Sequence, residues 1–115
     1  MKNDVVYLKH VRDAMKKVMK YLENKNKEEF IKNEILQDAV IRQLEIMGEA
    51  VKNLSLRIIL DNPQIPWKGM VGLRDVLIHG YDKVNLEIIW KIAREDVPKT
   101  FKKIEDLIAT FENEE

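Results

Sequence analysis

A chain of 115 residues, 45% hydrophobic and 35% charged, has the size and apolar content of one globular domain, taken as 1–115, and too much apolar material to stay disordered. Lys+Arg number 20 against 20 Asp+Glu, so no global field draws the molecule to nucleic acid or an anionic membrane, and any such contact has to be local. The absence of cysteine excludes a disulfide framework, a thiolate nucleophile and a cysteine-based zinc site.

Met1-Lys2-Asn3-Asp4 leads into an amphipathic pattern with no signal-type apolar core, and the apolar runs are too short to span a bilayer, so the expected location is the cytoplasm. Asn3 or Asp4 is suited to cap a first helix, in which Leu8, Val11, Met15, Val18 and Leu22 recur at three- and four-residue steps. Glu23 to Lys27 reads as a turn, and Glu28 to Lys32 as a short helical turn pinned by Phe30.

The second long helix is the clearest element. Leu36, Val40, Leu44, Met47, Val51, Leu54 and Ile58 follow four-three steps with a second row at Ile35, Ala39, Ile46 and Ala50, so one unbroken helix is expected as far as Asp61-Asn62-Pro63. Gly48 and Ala50 are small enough for close helix approach. Such a helix serves as a central core helix or, less simply, as a dimer seam.

Pro66 suits the first position of the next helix, whose apolar face is Met70, Leu73 and Leu77 and which Gly80 is expected to end through a left-handed conformation. Asn85 can cap a last helix carrying Leu86, Trp90, Ala93, Val97, Phe101, Ile104, Ile108 and Phe111, with a kink or restart at Pro98 and a frayed tail from Glu112 to Glu115. No segment alternates as a strand does. The expected fold is all-α: an up-down bundle of four main helices plus a short one.

Candidate chemistry gathers in one stretch, Gly72-Leu73-Arg74-Asp75-Val76-Leu77-Ile78-His79-Gly80-Tyr81. A guanidinium grips phosphate through two parallel hydrogen bonds and stabilises developing charge, and an imidazole moves protons near neutral pH. In RNA the 2′-hydroxyl is an internal nucleophile, so phosphodiester cleavage by such a pair needs no metal or cofactor. Residues five apart on a helix point about 140° away from each other. Arg74 and His79 therefore meet only if the helix loosens near Gly80, if the arginine stem swings round, or if two copies of the chain share a cleft. Asp75 and His79, one turn apart, are expected neighbours on the helix.

Arg74-Asp75, three residues, then His79-Gly80-Tyr81 resembles the Arg-x4-His-x-Tyr signature of HepT-like proteins in the HEPN superfamily. The resemblance extends to Gln37–Ala50, to Ile65-Pro66-Trp67 with Gly72–Asp75, and to Val84–Trp90, so it spans most of the chain. It implies an HEPN-like bundle acting as a metal-independent endoribonuclease toxin of a type VII-like toxin–antitoxin pair. It further implies a homodimer with both motifs in one cleft, RNA as substrate and a minimal nucleotidyltransferase antitoxin as partner. Carried over by position, Arg74 holds the scissile phosphate, His79 is the general acid or base, Asp75 supports them, and Tyr81 is the site of silencing adenylylation.

Plainer readings stand beside these. His10, off the apolar stripe, reads as a surface residue; Glu45 and Glu49 read as ion pairs with Arg42 and Lys52, with a cleft-lining role left open; Trp67 and Trp90 read as packing. The competing function is a non-catalytic helical module in which Arg74 and His79 bind a nucleotide or dock a nucleotidyltransferase partner.

Overall fold

The computed structural model describes the backbone of residues 2–113 and the side chains of 3–80 and 82–113; Glu114 and Glu115, part of the expected frayed tail, lie outside it. Among the described residues every regular element is helical. They are α1 (Lys2–Tyr21), α2 (Lys27–Lys32), α3 (Glu34–Lys52), α4 (Leu56–Asp61), α5 (Trp67–His79), α6 (Leu86–Lys91) and α7 (Val97–Asn113). A 3-10 turn at Tyr81–Lys83 separates α5 from α6, and a π-helical turn at Ile92–Asp96 joins α6 to α7. No described helix is long and apolar enough to cross a membrane. The four long helices α1, α3, α5 and α7 form the expected bundle.

The periodic residues build its core. Leu8, Val11, Met15 and Val18 of α1 and Leu22 just after it are buried against Val40, Leu44, Met47 and Val51 of α3, with Ile104 and Ile108 of α7 closing the other side. Helix α1 thus lies between α3 and α7, while α3 also touches α2 and α5. Phe30 is fully buried, its ring 5.7 Å from that of Trp90, so one aromatic pair pins α2 to the α6 end of the molecule. Asn26 forms a capping box with Glu29, and Gln37 Nε2 donates to the carbonyls of Phe30 and Ile31, which satisfies both ends of a helix too short to stand alone.

Five local expectations are corrected. The long helix is not continuous to Asp61: Asn53 ends α3 and the Ser55 hydroxyl caps α4 through the Ile58 N–H, so hydrophobic spacing carried across a break that two polar cap residues impose. Asp4 does not cap α1. It lies inside the first turn, buried, and accepts from the Ser55 N–H (2.8 Å) and Oγ (2.7 Å), tying the start of α1 to the α3–α4 break. Pro66 precedes the first helical residue, Trp67, and Gly80 ends α5 with φ −130°, outside the left-handed region. Ile35, placed in the second apolar row, is 82% exposed, because the first turn of α3 turns the neighbouring Leu36, not Ile35, into the core.

The expected irregularity at Pro98 appears as the π-helical turn. Proline has no N–H to donate back along the helix, and the ladder widens ahead of it, with the Val97 N–H reaching the Ile92 carbonyl. The widened turn lets Arg94 donate from Nη1 to the Leu22 carbonyl (3.0 Å) while its guanidinium lies 5.5 Å from the Trp90 ring centre. It thereby ties the π-helical turn to the end of α1, at a carbonyl that also accepts from the Lys25 N–H (3.0 Å).

Candidate active site

Helix α5 carries the Arg-Asp-His stretch and packs mainly on α3. Its start is fixed by buried Trp67, whose indole N–H donates to the Asn62 carbonyl (2.9 Å), and its inner face by Met70 and Leu77. The approach to α3 is set at Gly48. A Cβ there would overlap the Cβ of Arg74 and lie 2.8 Å from the Met70 carbonyl oxygen, so only glycine lets the Arg74 stem rest on α3 at this separation.

The guanidinium is then held from two sides. Nη2 meets Glu49 Oε2 at 2.9 Å and Nη1 meets Asp75 Oδ1 at 2.9 Å, while Nε is buried without a partner. Hydrogen bonding to Asp75, reinforced by Glu49, pushes the arginine pKa still higher, so the group is a permanent cation. The same bond to Arg74 draws the Asp75 carboxyl below its ordinary value, with the nearby charges of Lys52 and His79 adding to the effect. Each Nη retains one further N–H, the donor pair that an anion's two oxygens would take.

Helix α5 is regular through His79, and the Gly80 N–H still donates to the Val76 carbonyl (2.8 Å). The helix therefore does not loosen to bring the imidazole round to Arg74. His79 is exposed and forms no hydrogen bond or ion pair among the described side chains. The structure joins Arg74 to Asp75 and Glu49. It does not join His79 to either within the chain by a hydrogen bond. Tyr81 opens the 3-10 turn just past α5, where the Lys83 N–H donates to the Gly80 carbonyl; its side chain lies outside the described part.

On the other side of Arg74 is a hollow of about 340 Å³ between α1, α3 and α5, bordered by Tyr7, His10, Arg42, Glu45, Glu49 and Arg74. Arg42 pairs with Glu45 at 3.5 Å as expected, but Glu49 turns to Arg74 instead of Lys52. Periodicity cannot reveal that pairing, since 25 residues separate the partners. The one signal is Gly48, whose missing side chain marks where another helix comes close.

With this geometry in hand, comparison with known proteins is decisive. The family model described as ribonuclease HepT-like matches residues 11–107. The chain belongs to the HepT-like ribonuclease family. Among HepT-like relatives, a Methanocaldococcus jannaschii protein provisionally named an RNase is 45% identical over 115 residues, covering 99% of this chain and 95% of the relative. The probable ribonuclease HepT of Thermococcus cleftensis is 38% identical over 101 residues, 88% of this chain and 92% of that protein. A Caldanaerobacter subterraneus protein provisionally named an RNase is 35% identical over 108 residues, 94% and 96% of the two chains. No solved structure matches.

Proposed function

We propose that this HepT-like chain is a metal-independent endoribonuclease whose working site is completed by two copies of the chain. Arg74 binds the scissile phosphate through its outward N–H pair, and His79 of the second copy serves as general acid or base. The 2′-hydroxyl loses its proton and attacks the adjacent phosphorus; the P–O5′ bond breaks and the 5′-oxygen takes up a proton. The products are a 2′,3′-cyclic phosphate and a 5′-hydroxyl end. Asp75 and Glu49 keep the guanidinium aimed.

One observation carries the two-copy arrangement: α5 stays regular through His79, with Arg74 anchored to α3 and His79 turned outward. Residues five apart on such a helix, about 140° round from each other, do not close on one phosphorus from a single chain. Support comes from the outer face of α5. Gly69, Gly72, Val76 and His79 follow three-four spacing there, a Cβ at either glycine would meet nothing within 4 Å, and Val76 is 56% exposed. That stripe is apolar, unpartnered within the chain and carries the imidazole.

The regulatory reading follows the family. Tyr81, just beyond α5, receives AMP from a minimal nucleotidyltransferase antitoxin, and the added bulk and negative charge oppose an RNA phosphate beside it. A second reading, a non-catalytic nucleotide- or partner-docking module, draws support from the two carboxylates already on Arg74 and from the balanced net charge.

Incubation of the purified protein with RNA in EDTA separates the two. The ribonuclease reading predicts fragments ending in 2′,3′-cyclic phosphate, and a loss of about 10²–10⁴-fold in His79→Ala, the range for removing a proton-transfer group. Intact RNA together with tight ATP binding would support the docking module instead.

A further inference from the structure

We infer that the hollow beside Arg74 is a nucleotide seat that takes an unpaired base of the RNA strand next to the cleaved bond, with the Tyr7–His10 ring pair against the base and Arg42 on the neighbouring phosphate. The inference rests on the ribonuclease reading and adds the form of RNA that the enzyme accepts.

Three observations meet here. First, Arg74 borders this hollow and also holds Asp75 outside it, so a phosphate on its free N–H pair stands at the hollow's edge. Second, the Tyr7 and His10 rings lie 5.7 Å apart at an interplanar angle of 90°, fixed one turn apart on α1. Tyr7 is half-buried and held by the core, whereas His10 is exposed, so the perpendicular pair offers one ring face for a base to stack on and sets the other ring edge-on beside it. Third, Arg42 stands on the far side on α3, tied only by the 3.5 Å contact to Glu45 and with its side chain 68% exposed, so its guanidinium is available to an anion.

Arg42 and Arg74 both border the hollow that the aromatic pair lines, so a single strand laid there finds cations for its phosphates and a ring face for a base. At about 340 Å³ the hollow has the volume of a small-molecule site. Bases in a duplex are stacked on each other and cannot reach such a surface, so the seat selects unpaired RNA. Stacking uses a face that every base has, so the seat tolerates any sequence. His10 therefore has a purpose that its place off the apolar stripe of α1 does not suggest.

The chain has only two histidines, which makes the test direct. Imidazole proton signals are assigned with His10→Ala and His79→Ala, and a 2′-O-methyl RNA hexamer, which cannot be cleaved, is titrated into the wild-type protein. The proposal predicts that the His10 and His79 signals shift together, that the same strand annealed to its complement leaves His10 unmoved, and that AMP moves His10 only at far higher concentration. In His10→Ala the hexamer should bind roughly tenfold or more weakly, the range of a lost stacking contact, with the fold intact. In Arg42→Gln the dependence of log Kd on log salt should fall by about one.

A shift of His79 alone overturns the seat and leaves the ribonuclease reading standing. AMP moving His10 as readily as the hexamer makes the hollow a free-nucleotide site and overturns the strand proposal. No shift of either histidine overturns the seat and RNA binding together.

Discussion

At the residue scale, Arg74 depends on what surrounds it. Its aim comes from the absent side chain at Gly48 and from the carboxylates of Glu49 and Asp75. Gly48→Ala is therefore expected to force α5 away from α3 at an overpacked contact, costing about 1–3 kcal/mol, with a larger loss of cleavage than of stability. Parallel thermal melts and RNA assays check this, and a variant of full activity would show that the close approach is dispensable. Asp75→Asn acts differently. The Asp75 side chain is 51% exposed, so the melting temperature should fall only slightly, while cleavage falls because one of two tethers on the guanidinium is gone.

The pH dependence of this pair has a definite sign. Bonding to Arg74 lowers the Asp75 pKa in the folded state, so the stability contributed is present above the ordinary carboxylate value and is lost as pH falls through the lower folded one. Removing Asp75 should consequently lower the melting temperature by the same small amount throughout neutral pH, and that gap should close only in acid, below about pH 4. A wild-type–mutant gap that opens between pH 6 and 8 would point to another group.

At the element scale, the molecule uses small polar residues to start and stop helices that hydrophobic spacing alone would run together. Periodicity identified most of the core of α1, α3 and α7, because burial repeats with the helix, but it put exposed Ile35 in the apolar face and passed over buried Thr100 and Leu107. It could not see the break at Asn53 and Ser55, where the apolar rhythm continues through Leu54 and Ile58. Nor could it assign Asp4, whose partner is 51 residues away. Asp4→Ala should cost about 1–3 kcal/mol, since the Ser55 N–H loses its acceptor at a part-buried site, and Asp4→Asn should recover part of this. Hydrogen exchange at Ser55 and Ile58 should accelerate in Asp4→Ala; unchanged protection there would mean that α4 is held by packing alone. Phe30→Ala should cost about 3–5 kcal/mol, because it removes the fully buried ring that packs α2 against Trp90.

At the scale of the whole molecule, the question is how Arg74 and His79 come to one phosphate. The Arg-x4-His spacing was legible as a phosphate-directed pair and pointed through resemblance to the family that the comparison then established. What the sequence left open was how a regular helix brings the two side chains together. Helix α5 does not loosen at its end and Arg74 is tethered to α3, and in the proposed arrangement a second copy supplies the imidazole. For regulation, Tyr81→Phe should leave cleavage largely intact yet make the protein insensitive to the nucleotidyltransferase. A Tyr81→Phe protein still silenced by adenylylation elsewhere would contradict that assignment.

The two-copy site is tested most directly by complementation between two dead variants. Arg74→Ala and His79→Ala are each expected to leave RNA intact. If the site spans two chains, mixing them under conditions that allow subunit exchange restores cleavage to about a quarter of the wild-type level, since half of the dimers are mixed and each of those holds one complete site. A mixture as inactive as either parent, from subunits shown to have exchanged, would contradict the account.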